Sequence, residues 1–538
     1  MSDPQDTPPA GPGGPRKQAE AMGRRVGGGL SWLMVATVVV KAFSLVNIAV
    51  LGILLAEEDF GVFATAIGVA ALVNVLRDGG VRRILIQKGM HRYDGLIGPI
   101  YAWTLMLNLI AAVVLCALGP VMAWIHGDDQ YVMVMVTIGL AAAIYGPGMI
   151  YRATLSMQYR YKAVAALNAT SALVNYIAMI TLAIGGAGPL TFTWAMVVVA
   201  AYDWAFGYAL TRQPLIRFSP RTRLWPAIWA RTRWLILGAM ALALLRQGDF
   251  LVLGFILDPA MIGIYAFAYM ISSQVLTVLA ASLQQVLMPT MSSFQHDRTR
   301  HSRAVLRVCG SLTLVAAVFS GGIAVVFDPL QELIWGGKWL AAVPAVQALA
   351  LCFALRLLVA VQESALSSTG RFQTQFQALL IQGIGMVIVA AIGGMLFPRQ
   401  PHLIAMGVGL WFVVGITGVT AWSLKKAGVP IIDFLVTVLR PWGALTVLAM
   451  LVILVDLWLH NLGMRHALES ARAGEPSTLD TMLRFVISGF AFTLAAAVLV
   501  RFAMPQTLSD MLSITPPRIA RLARPILRLR PDRQPESE

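Results

Sequence analysis

The chain has 538 residues, 58% of them hydrophobic and only 12% charged, with a mean hydropathy of +0.73. Soluble domains carry about a quarter charged residues, so this composition excludes an ordinary soluble protein and specifies an integral membrane one. The formal net charge of +15 does not indicate nucleic acid, because the Lys and Arg residues flank apolar segments, where basic side chains set topology and meet anionic lipid.

In chain order, residues 1–28 come first, rich in Pro, Gly and polar residues and without the apolar stretch of a cleavable signal peptide. They are expected to be a disordered cytoplasmic tail. A hydrocarbon core about 30 Å thick needs roughly 20 apolar residues per helix. About fourteen segments qualify, and the expected fold class is therefore all-α integral membrane. Six segments lie within 29–211, at 29–54, 60–80, 97–118, 131–152, 164–185 and 190–211. Six more lie within 234–423, at 234–257, 263–287, 306–327, 340–361, 376–397 and 403–423. Helices 13 and 14 follow at 437–459 and 484–504, and residues 505–538 form a basic tail expected in the cytoplasm. Most of the 41 Lys and Arg residues collect on the side of the N-terminus, against Lys338, Arg399, Arg465, Arg472 and Arg484 on the other. That bias predicts cytoplasmic N- and C-termini. Within the basic tail, Arg518, Arg521 and Arg524 have helical spacing, compatible with an interfacial helix or with a disordered segment.

The chain also repeats itself. LGILLAEEDFGVFATA (51–66) recurs as LGFILDPAMIGIYAFA (253–268) at an offset of 202 residues, aligning Leu51 with Leu253, Gly52 with Gly254 and Gly61 with Gly263. Further on, Arg82–Gln87 aligns with Gln284–Pro289. Because the offset spans six helices, both halves insert with one orientation, related by an axis along the membrane normal. The expected organisation is an N-terminal six-helix lobe (29–211), a C-terminal six-helix lobe (234–423) and an appended pair (437–504).

Cys116, Cys309 and Cys352 fall in apolar segments and read as small buried hydrophobes. The seven histidines avoid mid-span positions and show no metal-ligand spacing, so neither a metal centre nor a catalytic constellation is expected. A transporter rather than an enzyme follows from that reading.

Ionisable side chains inside spans are costly and suggest function. Lys41 lies in helix 1, and Arg246 and Asp249 lie in helix 7. Measured back from the aligned Leu51 and Leu253, Lys41 and Arg246 differ in depth by about one helical turn. Equivalent helices of the two lobes thus each carry a cation, and a pair facing one cavity would hold an anionic group such as a diphosphate. The competing structural reading has Lys41 snorkelling or paired with a carboxylate, and Arg246 paired with Asp249 at i,i+3. Arg77 and Arg356 are further candidate substrate cations, with interfacial snorkelling the alternative for Arg77. Asp249, Asp78 and Asp203 are candidates for proton or sodium coupling or for an orienting role; no other cofactor is expected. For Asp203, flanked by Tyr202 and Trp204, a local hydrogen bond is equally compatible. Glu57, Glu58 and Asp59 precede helix 2 and are expected to offset its dipole. Pro147 is expected to bend helix 4.

The segment Leu55–Gly89 resembles the polysaccharide-transporter flippases that move lipid-linked oligosaccharides in O-antigen and exopolysaccharide export. The resemblance rests on Glu58–Asp59–Phe60–Gly61, Asp78–Gly79–Gly80 and Ile86–Gln87, and again on Arg246–Ile271 and Leu287–Gln295. It implies a two-lobed bundle of the multidrug/oligosaccharidyl-lipid/polysaccharide exporter type, alternating access and a cationic cavity. One departure is Asp258–Pro259–Ala260, which replaces the acidic turn in the second half. The expected substrate is a polyprenyl-diphosphate-linked oligosaccharide moved across the bacterial inner membrane. Membrane lipids, a polysaccharide polymerase and export machinery are the expected partners, and nucleic acid is not. Three rivals stay open: a lipid II flippase, a multidrug/cation antiporter of the same superfamily, and more remotely a membrane polysaccharide polymerase or ligase.

Overall fold

The computed structural model describes residues 39–78, 93–158, 160–212, 222–274, 297–469 and 478–514. Every regular element among them is helical. Residues 1–28, Gly79–Gly80, the Arg82–Gln87 and Gln284–Pro289 pairing, Leu287–Gln295 and Arg518–Arg530 lie outside the described residues. The helices are α1 (Val39–Leu54), α2 (Glu57–Asp78), α3 (Tyr93–His126), α4 (Gln130–Met157), α5 (Tyr161–Ile184) and α6 (Leu190–Thr211). Next come α7 (Trp225–Leu253), α8 (Pro259–Ser272), α9 (Arg298–Trp335), α10 (Val343–Arg356), α11 (Leu358–Ser368) and α12 (Phe372–Leu396). The series ends with α13 (Pro401–Trp411), a π turn (Phe412–Ile416), α14 (Thr417–Lys426), α15 (Ile431–Glu469), α16 (Thr478–Ala503) and α17 (Pro505–Ile514).

Among the described residues, 12 helical segments are long and apolar enough to cross a membrane, α10–α11 and α13–α14 each counting as one. They coincide with twelve of the expected spans. The other two expected spans coincide with the shorter apolar helices α1 and α8. The fold class is therefore all-α and membrane-spanning. Helix ends follow local chemistry. The Asp297 carboxylate accepts the Thr299 and Arg300 backbone N–H groups at 3.0 Å and starts α9, which stops at Gly336 with φ 58°. The Asp59 carboxylate accepts the Ala56 N–H at 2.8 Å, so the acidic turn does cap α2.

The chain divides into two compact units, one of residues 1–54 and 73–237 and the other of 55–72 and 238–538. Helices α2 and α7 each contribute residues to both. In the first unit α4 packs along α3 and α6, and α6 along α5. Its core includes Ile97, Ile100, Met149 and Ile150, and the Thr137 and Thr193 hydroxyls meet at 2.7 Å.

In the second unit the long α9 packs against α10, α15, α16 and α17, around Leu312, Phe434, Leu445 and Phe492. The start of α2 crosses α8 here, and the crossing repeats itself. A Cβ on Gly61 would stand 1.8 Å from the Pro259 carbonyl oxygen, and one on Gly263 would stand 1.8 Å from that of Glu57. Gly61 aligns with Gly263 in the internal repeat, and Glu57 with Pro259 at the same offset. Each helix thus presses its glycine onto the other's first turn, a reciprocal contact that only glycine permits. Phe267 stacks on Trp339 at 3.7 Å, with Phe60 edge-on to both. Lys338, beyond the end of α9, donates to the Leu55 carbonyl at 2.6 Å. Burial pushes its ammonium below the ordinary lysine value, opposed by the charges of Glu57 and Asp59.

Candidate functional site

The second unit holds a buried network built on Asp249 of α7. Asp249 is fully buried, and its Oδ2 accepts the Tyr265 hydroxyl at 2.8 Å. Its Oδ1 has no hydrogen-bond partner among the described residues. Four residues on along α8, one helical turn, Tyr269 donates its hydroxyl to the Arg246 carbonyl at 3.3 Å and accepts from the Arg356 guanidinium. Arg356 also donates to the Leu245 carbonyl at 3.2 Å. Its Cζ lies 5.3, 5.5 and 5.4 Å from the ring centres of Tyr269, Phe353 and Phe412. Aromatic faces, one hydroxyl and one carbonyl oxygen thus replace water that a guanidinium would otherwise hold.

Backbone irregularities surround this network. α10 ends at Arg356 and α11 begins at Leu358, interrupting one long span. The π turn starts at Phe412, and Thr417 Oγ1 bonds back to the Phe412 carbonyl at 3.1 Å. The Trp411 indole fits between Gly385 and Gly415, where Cβ atoms would approach it to 1.9 and 2.3 Å, and donates to the Gln382 carbonyl at 3.1 Å. Single π turns inside α-helices recur at functional sites, and this one begins at Phe412, whose ring centre lies 5.4 Å from Arg356 Cζ.

Arg246 behaves differently. It lies mid-span in α7, exposed, and no ion pair joins it to Asp249 among the described residues. The i,i+3 pairing considered from the sequence is replaced by the Tyr265 hydroxyl. A guanidinium facing lipid at that depth would be costly.

In the first unit Lys41 is half-buried in α1. Arg77, at the end of α2, sits over the Tyr145 ring at 4.0 Å, and its carbonyl accepts from Asn108 at 3.4 Å. The side chain of its neighbour Asp78 lies outside the described residues. Asp203 of α6 forms a bidentate pair with Arg152 of α4 at 2.7 and 2.6 Å, and accepts from Ser171 of α5. Its local partner is thus an arginine two helices earlier, not a chain neighbour. Glu363, two turns beyond Arg356 in the chain, is half-buried in α11. The structure therefore sets the Asp249–Tyr265 and Arg356–Tyr269 pairs one helical turn apart on α8, their rings 6.2 Å apart, while Arg77 and Asp203 belong to separate clusters.

Three groupings escaped the sequence reading. Tyr265 and Tyr269 were not singled out, though their i,i+4 spacing one short helix after an intramembrane acid was a usable signal. Gln362, Gln382 and Thr420 bond one another at 2.8–3.2 Å across α11, α12 and α14. Arg484 of α16 bridges Asp456 of α15 and Asp328 of α9 at 2.6 and 2.5 Å. No group of three or more metal-ligating side chains occurs among the described residues.

With the geometry in hand, comparison with known proteins gives the following. Residues 50–344 match the family described as polysaccharide biosynthesis protein. The succinoglycan biosynthesis transport protein ExoT of Rhizobium meliloti (strain 1021) is 22% identical over 94% of this chain and 98% of its own length. The lipopolysaccharide biosynthesis protein WzxC of Escherichia coli (strain K12) is 23% identical over 72% of this chain and 77% of its own. Among solved structures, lipid II flippase MurJ in an inward closed conformation aligns with a TM-score of 0.66 at 12% identity, over 87% of this chain and 98% of that one. An inward-facing multidrug resistance transporter of the MATE family aligns at 0.56 and 13% identity, over 73% of this chain and 98% of that one. The likeness to these two structures establishes a shared helical fold. The family match covers more than half of the chain, which belongs to the polysaccharide biosynthesis protein family.

Proposed function

We propose that this protein is a flippase that carries a polyprenyl-diphosphate-linked oligosaccharide from the cytoplasmic to the outer leaflet of the inner membrane. Family membership supplies the class of pathway, and the near full-length similarity to a protein named for succinoglycan transport supports a transporter rather than an enzyme. The observation that carries the substrate reading is Arg246, an exposed cation in the middle of an apolar span. Water must reach such a group, and an anion as dense as a diphosphate is the ligand it favours. Lys41, half-buried in α1, is the proposed second cation. Arg356 and Arg77 are already engaged with aromatic rings, and we assign them secondary contributions.

In this scheme the sugar occupies the aqueous cavity while the polyprenyl tail stays in lipid. Alternating access then re-exposes the site outward without covalent chemistry. The unpartnered Oδ1 of the buried Asp249 is the proposed proton acceptor, and its Tyr265 bond would transmit the change to α8. The distribution of basic residues supports cytoplasmic termini.

The test is translocation of a fluorescent lipid-diphosphate oligosaccharide in proteoliposomes. Lys41→Ala/Arg246→Ala is expected to lower the rate by about 100-fold, each lost charge-assisted contact costing roughly 1.5 kcal/mol, with the melting temperature unchanged. Full activity in the double variant would remove the diphosphate role from both residues.

A further inference from the structure

Three polar side chains meet in the apolar interior of the second unit. Gln362 of α11, Gln382 of α12 and Thr420 of α14 are fully buried, and Gln382 stands near the middle of the 25-residue span Phe372–Leu396. Its Nε2 faces three oxygens: Gln362 Oε1 at 3.1 Å, Thr420 Oγ1 at 3.2 Å and the Ile416 carbonyl at 3.4 Å. The Thr420 hydroxyl in turn donates to Gln362 Oε1 at 2.8 Å. A carboxamide nitrogen has only two hydrogens, so this one is surrounded by more acceptors than it can serve. Yet Gln382 Oε1 and Gln362 Nε2 have no hydrogen-bond partner among the described residues. Polar atoms left that way at mid-membrane are costly.

Gln382 also meets the π turn at both of its ends. Its backbone carbonyl accepts the Trp411 indole N–H at 3.1 Å, one residue before the turn, and its side chain reaches Ile416, the turn's last residue. The next residue, Gly383, seats α12 against α7, where a Cβ would lie 3.0 Å from the Ala241 carbonyl oxygen. With the Gln382 backbone held on both sides, what can turn is its terminal amide.

Amide oxygen and nitrogen are nearly alike in size, so an amide can turn over within the volume it fills. As placed, the two Gln382 hydrogens and the Thr420 hydroxyl are engaged. With both amides turned, Gln362 Nε2 would donate to Gln382 Oε1 and to Thr420 Oγ1, and Thr420 would donate to Gln382 Oε1. Three hydrogens are engaged in either arrangement. Turning one amide alone would set two oxygens or two nitrogens face to face, so the two turn together. What differs is the Ile416 carbonyl, which accepts in the first arrangement and faces an oxygen in the second. We infer that Gln362, Gln382 and Thr420 form a two-position latch on the π turn, held when Gln382 donates to Ile416 and released when the paired amides turn over. In the transporter proposed above, on which this last step rests, release would let α13 and α14 move about the turn.

The experiment is hydrogen exchange by mass spectrometry over residues 405–425 of the full-length protein. It needs no cargo, so its failure is distinct from failure of the flippase reading. Gln382→Met removes the latch and is expected to speed exchange there by about tenfold. Thr420→Val keeps the side-chain shape and removes the hydroxyl. Two engaged hydrogens then remain in the held arrangement and one in the released arrangement, so exchange is expected to slow by about threefold. A fixed network would lose bonds in both variants and exchange faster in both. Faster or unchanged exchange in Thr420→Val would therefore overturn the latch. A cooperative melting transition checks that each variant is folded, and if Gln382→Met does not fold, the sign of the change in Thr420→Val decides alone.

Discussion

At the scale of single residues, buried charge is handled by close partners. Asp203, nearly inaccessible, is neutralised by Arg152 and bonded by Ser171, so removing the arginine strands a carboxylate away from water. Arg152→Ala is expected to destabilise by about 3 kcal/mol, at the low end for a buried pair because the guanidinium is 27% exposed. Thermal unfolding in detergent measures this. Arg152→Ala/Asp203→Ala should recover part of the loss, whereas equal melting temperatures for single and double variants would deny any coupling. Around Asp249, Tyr265→Phe deletes the 2.8 Å hydrogen bond from the Tyr265 hydroxyl to that carboxylate. The expected cost is about 1–3 kcal/mol in the same assay, together with slower transport if the carboxylate carries the coupled proton.

At the scale of elements, the crossing of α2 and α8 depends on two glycines. Gly263→Ala would drive a methyl carbon into the Glu57 carbonyl and is expected to cost about 1–3 kcal/mol, or to prevent assembly. Gly238→Ala in α7 meets nothing within 4 Å and is expected to be neutral or slightly stabilising. The contrast between these two substitutions in melting temperature checks the crossing itself. The appended helices depend on Arg484, which ties α15 and α16 to α9 through Asp456 and Asp328. Arg484→Ala leaves two facing carboxylates and should increase hydrogen exchange in α16 selectively; unchanged exchange would assign the attachment to the apolar contacts around Phe492.

Much of this element-level picture was legible in the sequence, because spanning helices announce themselves by length and hydropathy. The aligned Gly61 and Gly263 marked a repeat, although that they press on each other's partner turn required coordinates. The polar networks were harder to read. Arg152 stands at the end of an expected span, where basic residues are common, and Tyr265, Tyr269, Gln362 and Gln382 carry no charge to stand out among apolar neighbours. Their partners sit 16 to 87 positions away in the chain, and only packing brings them together. The π turn at Phe412 has no sequence signature among Gly- and Val-rich spans, yet it begins at a residue whose ring faces Arg356.

At the scale of the whole molecule, the chain divides into two compact units and carries an internal repeat. Family membership assigns it to polysaccharide biosynthesis. The central claim is that its cargo is a lipid-linked oligosaccharide. The most direct measurement is mass spectrometry of lipid extracts from cells depleted of this protein. The account predicts accumulation of a polyprenyl-diphosphate oligosaccharide, reversed by the wild-type gene and not by the Lys41→Ala/Arg246→Ala variant. Accumulation of lipid II would instead assign the protein to cell-wall synthesis, and an unchanged lipid pool with new drug sensitivity would contradict the account in favour of an antiporter.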